Sequence, residues 1–117
     1  MFIDIIFNPM LKKENRLGKT SEIQKILSKG KGVFNPFFTI KFLPSSNEKK
    51  FTVVVSVKVF KKAVARNRLK RIVREYLRKN LKALKNGSYI IIARPKINST
   101  PEKHVIPAFA QLLAKIR

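Results

Sequence analysis

Two spacings of apolar residues alternate along this 117-residue chain, and they divide it into helices and strands. Ile23, Ile26 and Leu27 form a short helical stripe. Ser21 stands before it as a candidate N-cap and Gln24 three residues on, a capping box. Gly30 and Gly32 supply a stop, so a short helix is predicted near residues 21–29. Over residues 33–43 the period changes to two. Phe38, Ile40 and Phe42 point one way and Phe37, Thr39 and Lys41 the other, with Pro36 at an edge or ahead of the ladder. Pro44 to Glu48 is turn chemistry. Phe51 to Val57 is nearly continuous and β-branched, the pattern of a strand covered on both faces.

Leu69, Ile72, Val73, Tyr76 and Leu77 fall at i, i+3, i+4, i+7 and i+8, one face of a helix expected from about Val64 to Leu84 and closed by Asn86-Gly87. Ser88 to Ala93 is a second buried-strand pattern, ended by Arg94-Pro95. Ser99-Thr100-Pro101 opens a last helix striped by Val105, Phe109, Leu112, Leu113 and Ile116. Pro107 either kinks that helix or delays its start to about residue 106. The element order is α-β-β-α-β-α, an α+β arrangement with the helices expected on one face of a small sheet.

Charge changes the picture most. The chain carries 27 Lys and Arg against 6 Asp and Glu, a formal net charge of +21. A compact domain so charged repels itself unless a polyanion neutralises it, and nucleic acid is the natural partner. The excess concentrates in Lys61 to Arg78, where Glu75 is the one acid. At about 100° per residue, Asn67, Lys70, Arg71, Arg74 and Arg78 fall opposite the apolar stripe. An ordinary solvated helix balances such cations with Glu at i, i+4 spacing, and this one does not. Guanidinium forks match phosphate oxygens.

Other chemistry is thinly represented. Cysteine is absent, which excludes disulfides and thiolate catalysis and fits a cytoplasmic location. No apolar run reaches the roughly 18 residues of a bilayer span, and no membrane partner is expected. His104, the only histidine, is expected on the surface of the last helix. The six acids, at positions 4, 14, 22, 48, 75 and 102, show no spacing for a two-metal site. Gly30-Lys31-Gly32 is too short to cradle phosphates. The apolar start, Met1 to Pro9, lacks the basic flank of a signal peptide. Residues 1–9 are taken as an N-terminal extension outside the common core, and residues 10–117 as one RNA-binding domain.

Ala63-Val64-Ala65-Arg66-Asn67-Arg68-Leu69-Lys70-Arg71-Ile72-Val73-Arg74-Glu75 resembles the Arg-Asn-Arg signature of the bacterial ribonuclease P protein subunit. Lys13-Glu14-Asn15-Arg16-Leu17 resembles that family's entry to its first helix, and Tyr89 to Pro95 its strand ending in Ala-Arg. The resemblance covers about residues 11–116. It implies a two-layer α/β sandwich in the order α-β-β-β-α-β-α, with a four-stranded sheet and a left-handed β-α-β crossover through the basic helix. Right-handed crossovers are the strong default, so patterning alone would not indicate this. It also implies a further strand within residues 33–57.

The resemblance implies function too. In this family the catalyst is an RNA that removes the 5′ leader of precursor tRNA with Mg²⁺ held mainly by RNA; the polypeptide itself needs no cofactor. Arg66, Asn67, Arg68, Lys70, Arg71 and Arg74 would contact the catalytic RNA, with Lys61, Lys62 and Arg78 extending that surface and Lys58 at a cleft edge. Arg16, Ile23, Leu27, Phe38 and Lys41 would line a cleft for the leader of the precursor tRNA. The family usually places stacking aromatics in that cleft. Here Ile23, Leu27 and Lys41 hold three of those places, and plain core packing is an equal reading of Ile23, Leu27 and Phe38. Shared basic contacts would relieve the repulsion between substrate and catalytic RNA. A structural RNA-binding protein, such as a ribosomal component, is the alternative; a cationic protein of membrane surfaces or compacted DNA is a third.

Overall fold

The computed structural model describes residues 20–45 and 49–116. The elements are α1 (Thr20–Lys29), β1 (Lys31–Phe34), β2 (Phe38–Pro44), β3 (Lys49–Val54), α2 (Ala63–Lys79), β4 (Gly87–Ala93) and α3 (Glu102–Leu113), with 3₁₀ turns at Leu81–Ala83 and Pro95–Ser99. The order is the expected α-β-β-β-α-β-α. The further strand is β1, which comes from splitting the alternating run 33–43. Asn35 makes the split: its Oδ1 accepts the backbone N–H of Phe37 and of Phe38 at 2.9 and 2.8 Å. This Asx turn, with φ fixed at Pro36, folds the run into a hairpin.

The sheet runs β1-β2-β4-β3. β1 and β2 pair antiparallel, as do β2 and β4, whereas β3 lies parallel to β4 and is joined to it through α2. Gly87 opens β4 rather than closing the basic helix, and a Cβ there would strike the Phe42 ring. α2 itself stops earlier than expected. The Asn80 Nδ2 donates to Tyr76 O at 2.8 Å, and the chain tightens into the 3₁₀ turn.

The helices do not share one face, which corrects the expectation above. Phe38, Ile40, Phe42, Phe51, Val53, Tyr89 and Ile91 pack under Leu69, Val73 and Leu77 of α2 and Val105, Phe109 and Leu112 of α3. On the other face Val54 and Ile90 meet Ile23 and Ile26 of α1. The cause is visible in β4, where Tyr89 and Ile91 alternate with Ile90 and Ile92, so both faces need cover. α3 begins at Glu102 and carries Pro107 inside it, on its exposed side. Residues 1–9, the Lys13–Leu17 segment and Ser21 of the capping box lie outside the residues whose side chains are described; α1 opens at Thr20, one residue before Ser21.

Candidate nucleic-acid interface

α2 projects its cations along about 25 Å of helix at 1.5 Å per residue. Asn67, Arg71 and Arg78 are exposed and lie on one line along the face away from the sheet. Arg68 is exposed too, on the side toward α3. Lys58, Lys61 and Lys62 are exposed in the loop that enters the helix. The first turn of α2 has no acidic residue and no side-chain cap. Its free N–H groups therefore add positive potential where these lysines gather.

Two expected contacts are elsewhere. Lys70 is 0% and Arg74 7% exposed, so neither belongs to the free cationic face. The buried arc of α2 is Leu69, Lys70, Val73, Arg74 and Leu77, while Ile72 and Tyr76 are half-exposed. The helix is thus rolled toward Lys70 and Arg74 relative to the stripe read from sequence. Long aliphatic stems allow such residues to be covered, and both are engaged in interactions.

Arg66 is half-buried, and its Nη1 donates to the carbonyls of Phe60 and Lys61 at 2.9 and 2.8 Å. It ties the incoming loop to the helix. Arg68 donates from Nε and Nη2 to both carboxylate oxygens of Glu102, at 2.7 and 3.0 Å. The guanidinium, through these hydrogen bonds, holds the Glu102 carboxyl below its ordinary value, and the carboxylate raises Arg68 in turn. Lys79 pairs with Glu75 at 3.2 Å, and with Arg78 it complements the C-terminal end of the helix dipole.

The cleft residues divide between the two sheet faces. Ile23 is buried on the sheet-facing side of α1 and Leu27 is half-buried beside it. Lys41 is half-buried on this same face, paired across the hairpin with Gly32, whose missing side chain leaves room for the lysine stem. Phe38 is not there. It is buried on the opposite face, edge-on to Phe109 with ring centroids 5.2 Å apart. Its place in the cleft is corrected to core packing, because strand alternation sends it beneath α3. Arg16 lies outside the described residues.

Among the described residues the aromatic that does face the α1 side is Phe34, 69% exposed and opposite Thr39, which in turn pairs with Ile92. The Arg94 guanidinium sits 5.6 Å from its ring centroid. Sequence reasoning missed Phe34 because the turn at Asn35 resets the alternation. The Asn-Pro dipeptide was the signal that could have found it.

The family model described as Ribonuclease P matches residues 11–117. The chain belongs to the ribonuclease P protein family. A ribonuclease P protein component of Bacillus pumilus is 40% identical over 86 residues, covering 72% of this chain and 72% of that relative. One from Chromobacterium violaceum is 31% identical over 106 residues, covering 90% and 88%. The ribonuclease P protein of Thermotoga maritima superposes with a TM-score of 0.78 at 29% identity, over 87% of this chain and 97% of that one. The Staphylococcus aureus protein, at 24% identity and a TM-score of 0.84, shares the fold over 90% of this chain and 97% of its own. Family membership gives the exposed cations of α2 a context: they form the Arg-Asn-Arg helix of a ribonucleoprotein subunit. Among the described residues no group of three or more His, Cys, Asp or Glu could hold a metal ion. No described helix is long and apolar enough to cross a membrane.

Proposed function

We propose that this chain is the protein component of a cytoplasmic ribonuclease P, binding the catalytic RNA through α2 and the 5′ leader of precursor tRNA on the α1 side of the sheet. The reaction is endonucleolytic removal of that leader to give the mature 5′ end. The observation that carries the proposal is the exposed row Asn67, Arg71 and Arg78, with Arg68 beside it, on a helix of this family. Such a surface contacts phosphates and releases their counterions.

Catalysis is assigned to the RNA. Among the described residues no group of three or more His, Cys, Asp or Glu could hold a metal ion. Mg²⁺ is assigned to the RNA, where it would supply an activated water and stabilise the leaving oxygen. The chain's own part is electrostatic: cations placed between two polyanions lower the cost of bringing them together. Phe34 and Lys41 supply a stacking surface and a charge for the leader.

The test is cleavage of a precursor tRNA at low Mg²⁺ by a bacterial ribonuclease P RNA, with and without the protein. Stimulation at the mature 5′ boundary, lost when the leader is shortened, is the expected result. RNA binding without stimulation would favour the structural RNA-binding alternative.

A further inference from the structure

Between the N-terminal half of α2 and the start of α3 lies an apolar hollow of about 170 Å³. Phe60, Leu69, Ile72, Ile97 and Val105 supply its walls, and Ala65 leaves one side low. It opens into a wider groove that shares Arg68, Ile72 and Glu102 with it and adds Arg71 and Lys103. Neither the apolar packing of α2 nor the phosphate-binding role of its outer face accounts for this gap. A well-packed helix pair would close it.

We propose that the hollow receives one unstacked base of a single-stranded RNA segment, while Arg68, Arg71 and Lys103 hold the flanking phosphates. The inference rests on the RNA-binding reading above and adds a second, base-dependent contact to it. Size fits: an apolar cavity of about 150 Å³ accepts a benzene ring, so a nucleobase fits a hollow of this size that is open on one side. Chemistry fits as well. Single-stranded RNA is bound by splaying bases onto aromatic and apolar surfaces, and Phe60 is a half-exposed aromatic in the wall.

Charge selects the same ligand. The rim carries three cations against one carboxylate, Glu102, and that carboxylate is already held by Arg68. A guanidinium has five N–H donors, and the bridge uses Nε and one hydrogen of Nη2. The opposite edge, Nη1 with the remaining Nη2 hydrogen, stays available as a fork for phosphate. An uncharged apolar ligand would leave these cations unused, and a bare anion would leave the hollow unused.

The test uses the full chain carrying Phe34→Ala, which removes the exposed aromatic on the other side of the sheet. It is titrated with a hexaadenylate and with an abasic oligomer of the same length. The base-bearing oligomer should bind about tenfold tighter, as one stacked base predicts. It should also shift the methyl resonances of Ile72, Ile97 and Val105, which the abasic oligomer leaves in place. Adding Ala65→Phe, which fills the hollow, should remove the preference while abasic binding persists. Equal binding of the two oligomers, or unmoved methyls in the chain with Ala65 intact, would overturn the proposal. Precursor cleavage is measured separately. Stimulation with unmoved methyls defeats the base site alone, whereas shifted methyls without stimulation defeat the ribonuclease P reading alone.

Discussion

Arg68 and Glu102 stand 34 residues apart in sequence and form a two-pronged ion pair, Nε to Oε1 at 2.7 Å and Nη2 to Oε2 at 3.0 Å, that joins α2 to α3. Both side chains are largely exposed. Glu102→Gln should therefore alter stability little near neutral pH and tighten RNA binding, because an acid leaves a cationic surface. The sign with pH follows from the depressed Glu102 value. The pair's contribution is present above the ordinary carboxylate value and is lost as pH falls through the lowered one. Melting and RNA titrations of both proteins from pH 7 into acid check this; a wild-type protein that loses no more than the variant would remove the pair from the account.

Arg71 and Arg74 are three residues apart and should behave oppositely. Arg71→Ala should leave melting unchanged and reduce the log-log salt slope of RNA binding by about 0.7 to 0.9, one phosphate contact. Arg74→Ala should cost stability of about 1–3 kcal/mol, because a covered side chain is removed from its packing and partners. Denaturant titrations beside salt-dependent binding distinguish them.

Phe34→Ala should not change the melting temperature, since the ring is mostly in solvent. If it stacks on a leader base, affinity for a precursor tRNA with a long leader should fall by about 1–3 kcal/mol. Affinity for a substrate trimmed of its leader should stay unchanged. A loss shared by both substrates would place Phe34 away from the leader.

Phe109 is completely buried and meets Phe38 and Tyr76 edge-on, at 5.2 and 5.7 Å between centroids. It joins α3 to both α2 and the sheet. Phe109→Ala should cost about 3–5 kcal/mol and approach the whole stability of a domain this size. Urea unfolding measures it.

Tyr89 lies between Phe42 and Phe51, with its hydroxyl donating to Lys85 O at 2.6 Å. Burial pushes its pKa up to about 12 from an ordinary 10.0. The unfolded chain therefore ionises first, and the stabilisation present below pH 10 is lost as pH rises through about 12. Tyr89→Phe should lack this component of the alkaline decline. Parallel melting curves of the two proteins between those values would refute it.

Much of this protein is determined locally. The 3.6-residue stripes and the continuous β-branched runs specify α1, α2, α3, β3 and β4, because each must bury one stripe or two faces. The net charge and the Arg-Asn-Arg register mark α2 as the candidate RNA-facing helix, since uncompensated guanidinium groups favour a polyanion. What depends on packing was not legible. The division of residues 33–43 into a hairpin turns on two hydrogen bonds to one Asn35 oxygen, and that turn decides that Phe34, not Phe38, faces α1. The roll of α2 is likewise tertiary. A helical wheel gives the angle between residues but not the azimuth at which neighbours press, so Lys70 and Arg74 become covered while Arg71 stays free. The Arg68–Glu102 pair and the hollow beside it belong to the same class. They exist only where α2 and α3 meet, a separation in sequence that no local period encodes.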